Sequence, residues 1–243
     1  MRIHCITRRC WPLLLLVTAA SGFSAAPVNQ LSAEEKADGW KLLFDGKTTE
    51  GWHTFKTQSF PDKGWVVEDG WLHCLGKGGG NKGGGEIISD GQFNDFELQW
   101  EWKLASAGNS GVKYFILESR KDALGHEYQM IDDEREPDAV KGGGKHLTAS
   151  FYDVLAPTTR PPPVKPSGEI NSSRLIIKGN HVEHWLNGVK VLEYECGSEA
   201  VKAAVAASKF KTTVGFGDKV RGHLLLQDHN SEVWFRNVRI REL

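Results

Sequence analysis

From Trp40 onward, hydrophobic and polar residues alternate in short runs separated by turn residues, the signature of half-buried β-strands rather than helices. The clearest run is Phe96–Leu104. Phe96, Leu98, Trp100, Trp102 and Leu104 fall on one face, and Glu97, Gln99, Glu101 and Lys103 on the other. Trp40–Phe44, Trp65–Glu68, Trp71–Leu75, Val112–Leu117, Ser172–Lys178, His181–Leu186, Val189–Glu195, Leu224–Gln227 and Val233–Arg241 read as further strands. Asp69-Gly70 and Asn187-Gly188 are two-residue hairpin signals, because such turns need residues that tolerate positive φ. Gly108-Asn109-Ser110-Gly111 reads as a turn from Phe96–Leu104 into Val112–Leu117, which would let Glu101 and Lys113 pair across a hairpin. Helical signals are few. Ser32 with Glu35 three residues on is a capping box in a polar leader, and Ser198 can cap an alanine-rich helix over Glu199–Ala207. Many short strands and one small helix predict an all-β sandwich. It forms one domain over residues 40–243, preceded by a leader over 27–39.

One strand carries most of the chemistry. His126–Ile131 alternates, so Glu127 and Gln129 share one face while Tyr128 and Met130 share the other. A kink or bulge at the strand end would bring Asp132 into line with the first pair. A carboxylate, an amide and a second carboxylate in a row suit gripping a polyhydroxylated ligand and moving protons on it; an ordinary solvent-facing strand carries the same pattern.

Charge narrows the partners. Lys and Arg number 30 against 31 Asp and Glu, so the chain lacks the basic excess of a nucleic-acid binder. Arg2, Arg8 and Arg9, the apolar stretch Trp11–Ala19 and the small residues from Ser21 to Ala26 read as a signal peptide over residues 1–26. Its apolar stretch is too short for a membrane span. Export to the periplasm or the exterior is therefore expected. Beyond residue 26 the chain keeps Cys74 and Cys196, which suit either one disulfide or two buried thiols. Oligomeric state has no signature here.

Three irregular segments interrupt the strands: Gly76–Gly85, Lys141–His146 and Ala156–Gly168. They read as rims of a groove or as plain connections. Neither glycine run ends in the Gly-Lys-Ser/Thr that opens a phosphate-binding helix. Leu226-Gln227-Asp228-His229-Asn230 ends an apolar strand with polar groups, and His229 is a candidate proton shuttle. Asp132 and Asp133, with Glu134, Glu136 and Asp138 behind them, offer oxygens to a divalent cation such as Ca²⁺. The sequence demands no other cofactor.

Several motifs, in order, carry a resemblance. Trp40-Lys41-Leu42-Leu43-Phe44-Asp45-Gly46 with Gly51-Trp52, Gly108–Gly111, Glu127–Asp133, His184-Trp185-Leu186-Asn187-Gly188, Leu226–His229 and Val233–Ile240 together resemble the 3-keto-disaccharide hydrolase domain family. The resemblance runs from about Trp40 to Leu243. It implies a concanavalin-like jelly-roll β-sandwich that is exported and acts on sugars oxidised at C3. A ketone at C3 acidifies the C2 proton, so a base can remove it, the C1 substituent can leave, and water can add to the enone. On the motif positions, Glu127 or His229 is the expected base and Asp132 the acid or a cation ligand. Gln129, Gln227, Asn109, Lys113 and Glu101 are expected to bind substrate oxygens, and Tyr152 and Trp185 to supply an aromatic floor. Glu127–Asp132 also resembles the Glu-x-Asp-x-x-Glu strand of laminarinase-type retaining glycosidases, with Gln129 in place of the middle acid. Two other readings share this scaffold: a non-catalytic sugar-binding module, and an ordinary retaining glycosidase acting on unoxidised glycosides.

Overall fold

The structure, a computed structural model, describes residues 27–77 and 84–243. The expected signal peptide over 1–26 and part of the glycine-rich segment Gly76–Gly85 lie outside the described residues. Thirteen strands are present among the described residues: β1 Lys41–Leu42, β2 Trp52–Thr54, β3 Trp65–Glu68, β4 Trp71–Leu75, β5 Ile87–Phe93, β6 Phe96–Leu104, β7 Asn109–Ile116, β8 His126–Ile131, β9 Asn171–Lys178, β10 His181–Leu186, β11 Val189–Glu195, β12 Gly222–Leu226 and β13 Glu232–Glu242. Two short helices, α1 Ala33–Ala37 and α2 Glu199–Ala206, begin at Ser32 and Ser198, whose side chains accept from Glu35 N and Val201 N.

The strands form two antiparallel sheets packed face to face, the β-sandwich that the alternation predicts and the jelly roll that the resemblance implies. The large sheet runs β11-β10-β9-β6-β13-β4-β3, with β1 added to β13; the small sheet runs β2-β5-β12-β7-β8. Alternation on β6 buries Leu98, Trp100, Trp102 and Leu104 between the sheets, where they meet Val112, Tyr114, Tyr128 and Met130 from β7 and β8. The hairpin signals hold: Asp69 and Gly70, and Asn187 and Gly188, all have positive φ.

Three expectations are corrected. β6 and β7 do not form a hairpin, because the chain crosses from the large sheet to the small one between them. Glu101 therefore does not pair with Lys113. Its Oε2 accepts from Arg236 Nε at 2.6 Å on the neighbouring β13. The strand expected over Trp40–Phe44 is only Lys41–Leu42, and β2 and β5 were not evident in the pattern. In β5, Ser89, Asp90 and Gly91 break the alternation, and the pairing with β12 shifts register there.

The leader is an ordered part of the sandwich: Asn29 is buried, and Glu35 forms an ion pair with Arg239 of β13. Cys74 and Cys196 are free, buried thiols, each pushed up to about 12 by burial. No helix among the described residues is long and apolar enough to cross a membrane.

Candidate active site

The outward face of the small sheet carries a row of register partners crossing all five strands: His53, Ile88, Leu225, Lys113 and Glu127. The row ends at β7 and β8, and the candidate site is built there. Asn109 and Lys113 from β7, Glu127 and Gln129 from β8, and Gln227 and His229 beyond β12 line one cleft of about 120 Å³, walled by Tyr152 and Lys209. Seven residues expected from sequence thus converge: Glu127, Gln129, Asn109, Lys113, Gln227, His229 and Tyr152.

Glu127 lies on the floor, 5% exposed. Burial raises its pKa, and the ammonium groups of Lys113 and Lys209 work against that rise. Lys113 is buried as well. Burial alone would lower its pKa, yet the Glu127 and Glu86 carboxylates more than offset this and hold it above the ordinary lysine value. Its Nζ donates to Glu86 Oε1 at 2.5 Å. The floor is thus an ammonium between two carboxylates, one of them facing the cleft. Gly111 makes room for it, since a Cβ at that position would lie 2.5 Å from Glu127 Oε1. With its NH₂ toward Glu127, the Gln129 amide donates to Glu127 Oε1 at 3.2 Å and to Ser110 O at 2.9 Å. Gln227 Oε1 is buried without a hydrogen-bond partner, an acceptor open to a ligand hydroxyl.

The wall is held by a network that sequence reasoning missed. Tyr152 OH donates to Asp138 Oδ2 at 2.7 Å. His146 sits between Asp138 and Asp153, with Nδ1 and Nε2 each 3.0 Å from a carboxylate oxygen. Lys209 Nζ lies 4.2 Å from the centre of the Tyr152 ring. Burial pushes the Tyr152 phenol well up, and hydrogen bonding to Asp138 adds to this. Glu86, Asp138, His146 and Lys209 come from loops, where no periodicity marks a direction. In the sequence Asp138 stood out only as a cation oxygen, and His146 only as the end of an irregular segment.

Four expected residues lie elsewhere. Asp132 does not join Glu127 and Gln129. Its Oδ2 accepts from Ala107 N at 2.9 Å and Ser167 Oγ at 2.6 Å, and its Oδ1 from the amides of Glu134 and Arg135. Burial would raise its pKa, but these donors hold it below the ordinary carboxylate value. The carboxylate thus fastens three loop segments together. Asp133 Oδ1 is engaged by Thr148 N and Oγ, and burial raises its pKa to about 6. Neither aspartate presents a free pair of oxygens to a cation. Glu101 and Trp185 line a groove of about 480 Å³ on the outer face of the large sheet, across the sandwich from the cleft. There Trp185 Nε1 donates to Glu183 Oε2 at 2.7 Å, and Arg174 lies over the indole. Asp228 is likewise not available to His229, since its oxygens accept from Gly85 N and Asn230 N.

The geometry has relatives. Residues 39–241 match the model of the 3-keto-alpha-glucoside-1,2-lyase-like domain. A 3-keto-disaccharide hydrolase of Bacteroides thetaiotaomicron is 34% identical over 253 aligned positions, covering 93% of this chain and 86% of that protein. A Parabacteroides distasonis crystal structure described as a candidate glycosyl hydrolase superposes with a TM-score of 0.78 at 36% identity, covering 89% of this chain and 100% of the other. A second from the same organism gives 0.64 at 26%, covering 84% and 99%. The chain belongs to the 3-keto-alpha-glucoside-1,2-lyase-like domain family.

Proposed function

We propose that this protein is an exported carbohydrate-active enzyme that cleaves glycosides oxidised at C3. Abstraction of the C2 proton, elimination at C1 and hydration of the enone would make up the reaction. The observation that carries this reading is the buried Glu127 carboxylate facing a cleft beside Lys113. Membership of the family and the 3-keto-disaccharide hydrolase relative supply the substrate class.

In this mechanism Glu127 takes the proton from C2, and a carboxylate raised by burial is a stronger base than one in water. The electron pair left on C2 delocalises onto the C3 oxygen, where the Lys113 ammonium stabilises the enolate. As the enolate collapses, the C1–O bond breaks, C1=C2 forms, and His229 at the mouth gives a proton to the departing oxygen. Water then adds to C1 and the proton returns to C2, which completes a net hydrolysis. Asn109, Gln129 and Gln227 bind ring hydroxyls, with the orphaned Gln227 Oε1 accepting one, and Tyr152 forms the wall. The arginine-then-apolar N-terminus supports export.

The test compares a 3-keto-glucoside with its unoxidised parent, followed by NMR in D₂O. Turnover of the keto compound alone, with deuterium entering at C2, is the expected result, and Glu127→Gln should lower the rate by about 10²–10⁴-fold. Turnover of the parent would favour a retaining glycosidase, and binding of either sugar without turnover would make the cleft a carbohydrate-binding site.

A further inference from the structure

At the opposite edge of the same sheet face, two buried histidines meet a glutamate. His53 of β2 and His223 of β12 are 7% and 5% exposed, with ring centres 6.1 Å apart. Glu118, in the connection from β7 to β8, stands between them, with Oε1 3.7 Å from His53 Nε2 and Oε2 3.9 Å from His223 Nε2. Three hydrogen bonds fix which nitrogen of each ring carries a lone pair. His53 Nδ1 lies 2.6 Å from Asp90 Oδ1, and His223 Nδ1 lies 2.6 Å from Ser89 O. Both oxygens accept, so both Nδ1 atoms carry the hydrogen and both Nε2 atoms offer lone pairs. The Gln92 amide, donating to His223 Nε2 at 2.9 Å, agrees with that assignment. His53 Nε2 is buried and has no hydrogen-bond partner.

We propose that His53, His223 and Glu118 form a binding site for a divalent transition-metal ion of the zinc type. Histidine Nε2 lone pairs held in place by an oxygen on Nδ1 are the arrangement that metal-ligating imidazoles use, and the Asp90–His53 pair is its carboxylate form. Two imidazoles and one carboxylate suit zinc chemistry, and not the all-oxygen shell of calcium or magnesium. Two ligands of a tetrahedral zinc ion stand about 3.4 Å apart. The glutamate–histidine separations therefore need to close by only a few tenths of an ångström, whereas the two imidazoles, with ring centres 6.1 Å apart, must tilt further toward one another to share the ion. Turning the Gln92 amide over presents its oxygen instead of its NH₂ as a further ligand.

The ion's place in the register makes it structural. His53 is four strands from Glu127 in the same row, about 19 Å away at ordinary strand spacing. Ile88, Ile116 and Leu225 form an apolar cluster between the two sites. An ion there touches nothing in the cleft. It ties Glu118, and with it the chain segment that ends in the cleft-lining Leu124 and Gly125, to β2 and β12.

The test is titration of chelator-treated, full-length folded protein with ZnCl₂ by calorimetry. Co²⁺ absorption reports nitrogen and oxygen ligation, and thermal unfolding is followed with and without ZnCl₂. One equivalent bound, a raised Tm and tetrahedral Co²⁺ bands are expected. His53→Ala or His223→Ala should abolish these signals, while His181→Ala, at a separate, partly exposed histidine–glutamate cluster, leaves them intact. Should either core histidine variant fail to fold, Asp90→Ala, which removes only an exposed carboxylate, should weaken Kd about 10–100-fold. No zinc binding by the wild type, unchanged binding in Asp90→Ala and in the folded histidine variants, or loss of binding in His181→Ala would each overturn the proposal.

Discussion

Asn29 and Asn237, 208 residues apart, hold one another's backbone. Asn29 N donates to Asn237 Oδ1 at 2.5 Å, and Asn237 N donates to Asn29 Oδ1 at 2.7 Å. Asn29 Nδ2 adds a bond to Gly70 O at 2.8 Å. Both residues have positive φ, which asparagine tolerates better than most, and Asn237 sits where the β13 register shifts against β6. The leader is therefore clasped to the centre of the large sheet. Asn29→Ala removes two buried hydrogen bonds and leaves alanine in the left-handed region. A loss of about 3 kcal/mol in urea unfolding is expected, with kcat on a 3-keto-glucoside unchanged.

Gly111→Ala tests the cleft floor. The new methyl group collides with Glu127 Oε1 and Cγ, so the carboxylate must turn away from its place beside Lys113. Misplacement of a catalytic group by about an ångström costs on the order of 10²-fold in rate. We expect kcat to fall by about that much while circular dichroism and Tm stay close to wild type.

Lys113 lowers the Glu127 pKa and Glu86 raises it. If Glu127 is the base, kcat/KM falls as pH drops through its folded pKa, which lies above the ordinary glutamate value. Lys113→Met should move that acid limb to higher pH, and Glu86→Gln should move it to lower pH. A pH profile unmoved by both substitutions would take Glu127 out of the proton transfer.

Asp132→Ala separates loop fastening from chemistry. It leaves the amides of Ala107, Glu134 and Arg135 and the Ser167 hydroxyl without their shared acceptor. Water can replace some of these bonds, so a loss of about 2–4 kcal/mol is expected in urea denaturation, with turnover retained in the folded fraction. Abolished turnover at full stability would return Asp132 to the mechanism.

Acid should destabilise the sandwich through its core. His126, Tyr194, Tyr114 and His184 form one buried chain of hydrogen bonds, and His184 Nδ1 donates onward to Ala149 O. Burial first, with His184 and Arg120 nearby, lowers His126 to about 3, and burial lowers His184 to about 4. A depressed histidine contributes stability that is present above the unfolded pKa and lost as pH falls toward the folded one. From about pH 6.5 to about pH 4.5 the two imidazoles together cost about 5 kcal/mol. Asp133 works the other way. Its folded pKa near 6 exceeds its unfolded value, so the folded state binds the extra proton and regains about 2 kcal/mol as pH falls. Glu127 acts in the same direction. The net loss is about 2–3 kcal/mol, and Asp133→Asn should steepen it; urea midpoints at the two pH values check both.

Much of this was legible because alternation is a local signal. The Phe96–Leu104 face, the two Gly-containing hairpins and the shared direction of Glu127 and Gln129 depend on period alone. The convergence of Gln227 and His229 with Glu127 followed only from resemblance. What failed was relation between strands. Gly108–Gly111 reads as a hairpin turn but carries the chain between sheets, so Glu101 went to Arg236 and the lysine went to Glu86. Asp132 follows the strand end, where the backbone and not the period decides direction, and it turned into the loop. Trp185 has the right chemistry for a sugar platform but lies on the large sheet, away from the cleft. His53 was illegible because β2 is too short to show a period, although its partners complete the histidine pair.

The position of β13 sets the order in which the large sheet can close. The strand lies inside the large sheet, bonded to β6 on one side and to β4 and β1 on the other, and it follows each of these partners by more than 120 residues in the chain. Without β13 the large sheet is two unjoined parts, β11-β10-β9-β6 and β4-β3, and Asn29 lacks the Asn237 that it clasps. Strand pairing over such sequence separations is slow, because the loop-closure entropy is lost before the contacts form. Closure of the large sheet is thus a late event in folding, and until it occurs the edges of β6 and β4 stay open to pairing with other chains.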